Sequence, residues 1–177
     1  MAESGNTGEL IVLALKDAGT THLFTLNGAH IWPMLTGAVE HDIRIVDTRH
    51  EQTATFAAEG WSKVTRECGV ATVTAGPGVT NAISAVAAAH SNDSPLLLVG
   101  GRAPEARWGM GSLQEMDHTP LLAPVTRQAT TLIKFARATT DPQVVAGLVD
   151  KAADLKSRVD EQTIDRSPRA PDVQPES

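Results

Sequence analysis

The stretch Thr48-Arg49-His50-Glu51-Gln52 contains the side chain of this sequence best suited to chemistry, the carboxylate of Glu51. It follows the apolar run at 43–46, which is typical of a strand, and it opens the apolar pattern of a helix. Glu51 is therefore predicted to lie in the first helical turn at the carboxyl end of a strand, where open α/β sheets bind ligands. A carboxylate in such a partly dry cleft can bind and polarise a nitrogen heterocycle.

A structural role for Glu51 is the alternative. Thr48 and Glu51 have the spacing of a capping box, in which the Glu side chain accepts a hydrogen bond from a backbone amide at the start of the helix. A glutamate in the first turn also stabilises a helix through its interaction with the helix dipole. The local sequence is compatible with both roles.

The turn Gly76-Pro77-Gly78 is the second feature with chemical potential. It follows a predicted strand at 69–74 and starts a helix with Asn81 in its first turn, so it would bring backbone amides close to a ligand. It lacks the Gly-Lys-Ser/Thr of a Walker motif and the spacing of Gly-x-Gly-x-x-Gly. A strand-to-helix turn also uses glycine for its conformation alone, and the local sequence leaves that alternative open.

Other common catalytic and metal-binding patterns are absent from the sequence. The six histidines show no metal-ligand spacing, so no metal site is predicted. His118 is predicted, with three other histidines, to be a surface residue or a hydrogen-bonded core residue. Four apolar residues are predicted to form a buried subunit interface, with an exposed apolar patch or a ligand wall as the alternatives: Trp108, Met110, Leu113 and Met116.

Alternating strand and helix patterns provide the elements that position these residues. Strands are predicted at 22–26, 43–46, 69–74 and 95–100, with helices before and between them. Strands separated by helices of this length indicate βαβ units and a parallel sheet with right-handed crossovers. The nearly continuous apolar run at 95–100 indicates a strand buried on both faces. A further helix is predicted to start at Asp141-Pro142.

Composition and charge limit the kinds of partner. The chain has 177 residues, 41% of them hydrophobic, which is enough for one soluble domain. Its net charge of −6 and its aromatic content of 3% argue against a nucleic acid partner. No apolar run has the length of a membrane span, and a single cysteine is typical of a reducing compartment. A cytoplasmic protein without membrane contact is therefore expected.

The composition also predicts a division of the chain into three parts. Residues 1–6 are small and polar and are expected to be flexible. Residues 7–156 carry the helix and strand patterns and form the domain. Residues 157–177 are polar, lack apolar periodicity and are expected to be a disordered tail.

Four stretches, in this order, carry a resemblance to a known family. They are Phe24-Thr25-Leu26-Asn27-Gly28-Ala29-His30-Ile31-Trp32-Pro33, Arg49-His50-Glu51-Gln52, Thr74-Ala75-Gly76-Pro77-Gly78-Val79-Thr80-Asn81 and Gly111-Ser112-Leu113-Gln114-Glu115-Met116-Asp117. Together they resemble the N-terminal, pyrimidine-binding domain of thiamine-diphosphate-dependent enzymes, especially the catalytic subunits of acetolactate synthase. The resemblance covers residues 7–155. It implies an α/β fold with an open, largely parallel sheet of five or six strands flanked by helices.

The resemblance also implies a role for each matching residue. Glu51 would hydrogen-bond a ring nitrogen of the aminopyrimidine of thiamine diphosphate and promote its imino tautomer, which deprotonates the thiazolium carbon that attacks a 2-keto acid. The other matching residues would bind the cofactor or line the substrate pocket: Gly28, Ile31, Pro77 and Asn81 for the cofactor, Leu113 and Gln114 for the substrate. The resemblance thus favours a cofactor-binding role for Glu51, with which a capping role can coexist.

Three departures from the family pattern shape the expected function. Leu113 replaces the Phe usual in acetolactate synthases, and Asn27-Gly28-Ala29 replaces Pro-Gly-Gly, so the 2-keto acid need not be pyruvate. The sequence also contains no Gly-Asp-Gly, the motif with which the family's last domain holds magnesium and the diphosphate. The expectation is a truncated pyrimidine-binding domain that lacks its last strand and is inactive alone.

Two alternatives to the truncated enzyme remain open. The chain could be a subunit that a separate chain with the diphosphate-binding domain completes, or it could be a non-catalytic assembly module. Active sites in the family lie between subunits, so the expected partner is a second copy of the chain or a chain with the diphosphate-binding domain. An unprotected sheet edge would also favour self-association.

Overall fold

Four parallel strands form one sheet in the computed structural model, which describes residues 6–126. The strands are β1 (His22–Thr25), β2 (Arg44–Asp47), β3 (Gly69–Val73) and β4 (Leu96–Gly100), in the spatial order β2-β1-β3-β4. The predicted α/β class and the parallel sheet are confirmed. The described residues supply four strands, fewer than the five or six expected.

The strands alternate with helices, as the sequence pattern predicts. The helices are α1 (Thr7–Asp17), α2 (Trp32–Glu40), α3 (Glu51–Thr65), α4 (Pro77–Ser91) and the short α5 (Thr119–Leu122). Single 3-10 turns occur at Ala29–Ile31, Glu105–Arg107 and Ala123–Val125. The helix predicted from Asp141-Pro142, the tail predicted at 157–177 and, apart from Asn6, the segment 1–6 that was predicted to be flexible lie outside the described residues.

One face of the sheet is covered by α1 and α2, and the other by α3 and α4. Alternate residues of a strand point to opposite faces, so Leu23 packs beneath α1 and α2 while Phe24 packs against α3. Leu23 is fully buried, and burial of a leucine side chain stabilises a fold by about 1.5–3 kcal/mol. The two helical layers hold the carboxyl ends of the strands at one edge of the sheet.

Small residues let α3 lie close to the sheet. Ala54 and Ala58 face Ala71 of β3, and all three are fully buried. A Cβ at Gly69 would collide with the carbonyl oxygen of Ala58, so only glycine fits at the start of β3. This close approach brings the first turn of α3, with Glu51, next to the end of β3.

The predicted burial of the last strand on both faces is wrong for the described part of the chain. β4 lies at the edge of the described sheet, and Leu97 is 40% exposed. The fully buried strand is β3, which has a neighbouring strand on each side. An apolar run reports the hydrophobicity of a strand but not its place in the strand order, which long-range pairing decides.

Candidate functional site at the carboxyl edge of the sheet

The residues predicted to form a site follow the carboxyl ends of the four strands. The segments are 26–31 after β1, 48–51 after β2, 74–78 after β3 and 101–118 after β4. The chain leaves β1 toward β2 but leaves β3 toward β4, so the strand order reverses between the adjacent strands β1 and β3. Crevices at such a reversal are the usual ligand sites of open α/β sheets.

Glu51 is a buried carboxylate at this edge and not the glutamate of a capping box. It is 7% exposed, and its Oε2 accepts a hydrogen bond of 2.9 Å from Nδ2 of Asn81 in α4. The helix start is capped instead by His50, whose Nδ1 accepts from the amide of Gln52 at 3.2 Å. The hydroxyl of Thr48 donates to backbone carbonyls. The carboxylate is thus directed away from its own helix start and toward α4.

The Gly-Pro-Gly turn (Gly76-Pro77-Gly78) combines a required conformation with a required close approach. Gly76 has a φ of +57°, which favours glycine, and Pro77 is the first residue of α4. A Cβ at Gly78 would lie 2.7 Å from Cγ2 of Thr74 and 3.4 Å from Oε1 of Glu51. The glycine at position 78 therefore leaves the second oxygen of Glu51 facing a backbone surface with no side chain between them.

Thr74 joins three of the segments and was missed as a site residue. It is 8% exposed; its hydroxyl donates to Oε1 of Gln114 at 3.1 Å and lies 3.2 Å from Nδ1 of His30. Because the single hydroxyl proton points to Gln114, the second bond requires a proton on Nδ1 of His30. A Cβ at Gly28 would lie 2.5 Å from Cβ of Thr74. The available signal was the position of Thr74, directly before the Gly-Pro-Gly turn.

The 101–118 loop closes the side of the site beyond β4. It begins with a bond of 2.8 Å from the amide of Gly101 to the carbonyl of Val73. The carboxylate of Glu115 accepts from the amides of Gly109, at 2.8 Å, and Ser112, at 3.1 Å, which shapes the loop. Gln114 follows with a φ of +57°, uncommon for a residue with a side chain. Such a conformation costs free energy and persists only where the surrounding structure holds it, and conformations of this kind cluster at functional sites.

His118 fixes the end of this loop to the Gly-Pro-Gly turn. Its Nε2 accepts a hydrogen bond of 2.9 Å from the amide of Gly76, so it is a hydrogen-bonded, partly buried residue, one of the two environments predicted for it. Burial lowers the pKa of His118 below its ordinary value, and Arg102 lowers it further, while Asp117 acts in the opposite direction. The neutral imidazole that the bond requires is therefore favoured.

The predicted site residues do not all meet in one place. Glu51 contacts Asn81 directly, while Gly28 and Gln114 are joined to the Glu51 region through Thr74 and the Gly-Pro-Gly turn. Pro77 lies exposed at the mouth of the same region. Two residues are placed differently: Ile31 is 2% exposed and lines a groove of about 580 Å³ against α1 and β4, and Leu113 is 72% exposed on the loop.

A separate group of possible metal ligands lies at the amino end of β2. Ligand atoms of Glu9, Glu40 and His41 lie within 4.8 Å of one another, and Nε2 of His41 is buried without a hydrogen-bond partner among the described residues. The sequence spacing did not reveal the group because Glu9 belongs to α1 and the other two residues to the end of α2. Exposed acidic side chains often lie together without a metal, and we assign none here.

None of the helices within residues 6–126 combines the length and the apolar character needed to cross a membrane.

Comparison with known proteins agrees with the geometry of this edge. A family model described as "Thiamine pyrophosphate enzyme, N-terminal TPP binding domain" matches residues 5–121. The acetolactate synthase large subunit IlvG of Mycobacterium tuberculosis is 59% identical over 130 residues, which are 73% of this chain and 24% of that protein. The 2-hydroxyacyl-CoA lyase 2 of Caenorhabditis elegans is 48% identical over 120 residues, 68% of this chain and 19% of that protein.

The matched region contains every element that builds this edge of the sheet, from α1 to the 101–118 loop. The chain spans about a quarter or less of the length of the curated relatives it matches. The buried glutamate, the Gly-Pro-Gly turn and the loop after β4 lie together at the reversal of strand order, as a cofactor site in this fold requires. The chain belongs to the thiamine pyrophosphate enzyme family, as an N-terminal TPP-binding domain of the acetolactate synthase-like type.

Proposed function

We propose that the crevice between β1 and β3 binds the aminopyrimidine of thiamine diphosphate, with Glu51 as the residue that hydrogen-bonds its ring. The observation that carries this proposal is the burial of the Glu51 carboxylate at the carboxyl edge of the sheet, beside Gly78 and bonded to Asn81. A buried anion costs free energy unless its oxygens have polar partners. A ring nitrogen that shares a proton with Oε1 would satisfy the oxygen that faces Gly78.

The residues around Glu51 fit a flat heterocycle. Gly28 and Gly78 both pack against Thr74 at distances that leave no room for a Cβ, so backbone surfaces without side chains line the crevice. The first turn of α4 starts there, and the helix dipole places a partial positive charge at that end, which suits an electron-rich ligand. Asn81 orients the carboxylate from that same helix. These features support binding of the pyrimidine half of the cofactor by this chain.

When bound, thiamine diphosphate supplies the carbon chemistry of 2-keto acid decarboxylation and carboligation. The chain's own part is to hold the cofactor and tune it. Glu51 would share a proton with a ring nitrogen, in a site where screening by water is weak. Asn81 keeps the carboxylate in position, and Gln114 with Leu113 presents the loop after β4 to the substrate side.

The whole protein's activity goes beyond these residues. We propose that magnesium and the diphosphate are held outside this sequence, which contains no Gly-Asp-Gly. They would be held by a further domain of a longer protein, from the same or a second copy of that protein, or by a separate chain, with the site between subunits in the cytoplasm. On this view these residues alone catalyse no carboligation, and acetolactate formed from pyruvate by the isolated chain would contradict it.

Cofactor binding is tested by titrating the isotope-labelled chain with thiamine diphosphate and following backbone amide shifts. The wild type is expected to show shifts in the Gly-Pro-Gly turn and the first turn of α3. Glu51→Gln should weaken binding about tenfold or more, because a hydrogen bond to a charged group contributes about 1.5–3 kcal/mol. Equal affinity of wild type and Glu51→Gln would overturn the proposed role.

The matched control is Glu59→Gln, which makes the same change to the other buried glutamate of α3. Glu59 bonds to Lys63, Asn92 and Ser94 near the far end of the helix. Its variant should bind the cofactor as the wild type does. A similar loss in both variants would point to a general loosening of α3 rather than to a cofactor contact.

The substrate class needs its own test because the relatives carry two activity names. After addition of a chain that supplies Gly-Asp-Gly, turnover is measured with pyruvate and, separately, with a 2-hydroxyacyl-CoA. Acetolactate formation supports the acetolactate synthase-like activity that we propose. Cleavage of the acyl-CoA alone would assign the lyase activity instead. A stable complex without any turnover would support the assembly module, the non-catalytic alternative.

A further inference from the structure

We propose that His118 is a positioning residue, which in its neutral form docks the 101–118 loop onto the Gly-Pro-Gly turn. The bond from the amide of Gly76 to Nε2 of His118 is 2.9 Å long and joins the last residue of the loop to the residue that caps α4. It acts together with the bonds from Gly101 to Val73 and from Thr74 to Gln114, which also connect the loop to the strand ends.

The bond exists only when the imidazole is neutral. Nε2 accepts the amide proton, and the imidazolium form has no acceptor because both ring nitrogens carry protons. A charged ring would also face the positive amino-terminal end of α4, a helix of 15 residues. Protonation of His118 therefore replaces an attraction between loop and turn with a repulsion.

Charges near the ring come from the loop itself. Asp117 beside it favours the protonated form, and Arg102 at the start of the loop opposes it. The first turn of α4 and residues 119–125, which follow the ring, contain no ionisable side chain. Burial adds to the effect of Arg102 and lowers the pKa of His118, so the loop is docked at neutral pH and released in acid.

The docking of His118 affects the position of Gln114 because both residues contact the Gly-Pro-Gly turn. The carbonyl oxygen of Gln114 lies 2.7 Å from the position that a Cβ of Gly76 would occupy, and its side chain bonds to Thr74. Its left-handed backbone is held by these contacts. Loss of the His118 bond frees the loop on the carboxyl side of Gln114 and lets Gln114 move away from the turn, together with the exposed Leu113.

This role rests on the proposed function, in which the turn binds the pyrimidine and the loop faces the substrate. Docking by His118 would make the position of the loop on the substrate side depend on pH, while cofactor binding at Glu51 would not depend on this bond. The test below reads hydrogen bonding and loop position without any cofactor. A failure of thiamine diphosphate to bind and a failure of His118 to dock the loop are thus distinguishable.

The experiment is an NMR pH titration of the full chain that follows the ring nitrogens of His118, the amide of Gly76 and the side-chain amide of Gln114. All three are expected to titrate with one midpoint, below the ordinary value of 6.5. In His118→Gln a side-chain oxygen can still accept from Gly76, so the Gln114 signals should stay in their docked positions and no longer titrate. In His118→Ala the exchange rate of the Gly76 amide should rise about fivefold, as for one lost hydrogen bond.

His90→Ala is the control, since His90 is an exposed residue in the last turn of the same helix α4. It should leave all three signals unchanged. Titration of Gly76 and Gln114 with a midpoint different from that of His118 would overturn the proposal. If His118→Ala is unfolded, the wild-type titration and the His118→Gln variant still test the proposal. Gly76 and Gln114 signals that titrate in His118→Gln as they do in the wild type would also overturn it.

Discussion

Glu51 and Glu59 show how one helix can use two buried carboxylates for different purposes. Glu51 is 7% exposed and Glu59 is 4% exposed, and both lie in α3. Glu59 bonds to Lys63 at 2.7 Å and to Asn92 at 2.8 Å, so its charge is balanced within the fold. Glu51 has the amide of Asn81 on one oxygen and the bare backbone of Gly78 beside the other. Residue type alone does not separate these roles, but the partners do.

Alanine substitutions at Gly78 and Gly60 are predicted to change the stability of the fold in opposite directions. Gly78→Ala places a Cβ 2.7 Å from Thr74 and 3.4 Å from Glu51, so it should destabilise the fold by about 1–3 kcal/mol and weaken thiamine diphosphate binding. Urea unfolding and the cofactor titration measure the two effects. A variant as stable and as tightly binding as the wild type would contradict the close approach.

Gly60→Ala is the control, because Gly60 lies in the middle of α3 with nothing within 4 Å of an added Cβ. Alanine loses less backbone entropy than glycine on helix formation, so this variant should be more stable by about 0.5–1 kcal/mol. Its affinity for the cofactor should not change. A destabilised Gly60→Ala would show that the exposed face of α3 is covered in solution.

At the scale of elements, the pairing of α3 with α4 aligns the helix starts that carry the site. Asn81 of α4 bonds to Glu51 near the start of α3, and the loop residues Asn92 and Ser94 bond to Glu59 near its end. Thr25 and Thr72 add a hydrogen bond of 2.8 Å between the central strands β1 and β3. Two distant points of contact hold the pair of helices in one register against the sheet.

The Glu59 contacts predict an acid-dependent stability. Burial alone would raise the pKa of Glu59, but hydrogen bonds from Lys63, Asn92 and Ser94 outweigh it and lower the pKa below 4.5. A carboxyl group with a lowered pKa stabilises the fold above its unfolded value and loses that contribution as the pH falls through the folded value. The wild type should therefore lose stability as the pH falls below about 4.5.

Urea unfolding between pH 3 and pH 7 tests this prediction in Glu59→Gln. The variant should be less stable by about 1–3 kcal/mol at neutral pH and should lose less stability in acid, because the group that titrates is gone. Glu67→Gln is the control, since Glu67 is exposed after α3 and should unfold as the wild type does. Parallel pH profiles of Glu59→Gln and the wild type would contradict the role of the contacts.

For the whole molecule, the predicted subunit interface can be tested through two exposed residues of the 101–118 loop. Met110 is 74% exposed and Leu113 is 72% exposed, and apolar side chains grouped on a surface favour association. Replacement of both by serine should shift the chain toward the monomer in analytical ultracentrifugation. Val64→Ser is the control, because Val64 is 84% exposed at the end of α3. Equal association of all three proteins would argue against an interface at the loop.

The sequence by itself determined the class of fold and the local setting of Glu51. Both depend on short-range sequence patterns. Apolar periodicity predicts the strands and helices, and position 51 opens a helix shortly after a strand. The motifs were also sufficient to identify the family, because the residues of a motif such as the Gly-Pro-Gly turn are neighbours in the chain. Gly76 serves the conformation of that turn, and Gly78 serves a close approach to Thr74 and Glu51. The interpretation that the turn also faces a ligand stays a prediction.

Only the tertiary structure decided which side chains meet. Asn81 with Glu51, Gln114 with Thr74 and His118 with Gly76 are pairs separated by 30 to 42 positions. Their contacts depend on the strand order β2-β1-β3-β4, which brings the ends of β1 and β3 together and places β4 at the described edge. Strand order results from long-range packing of whole helices on the sheet, a property that no local spacing contains. For that reason the contacts of Thr74 and His118 became visible only in the folded chain.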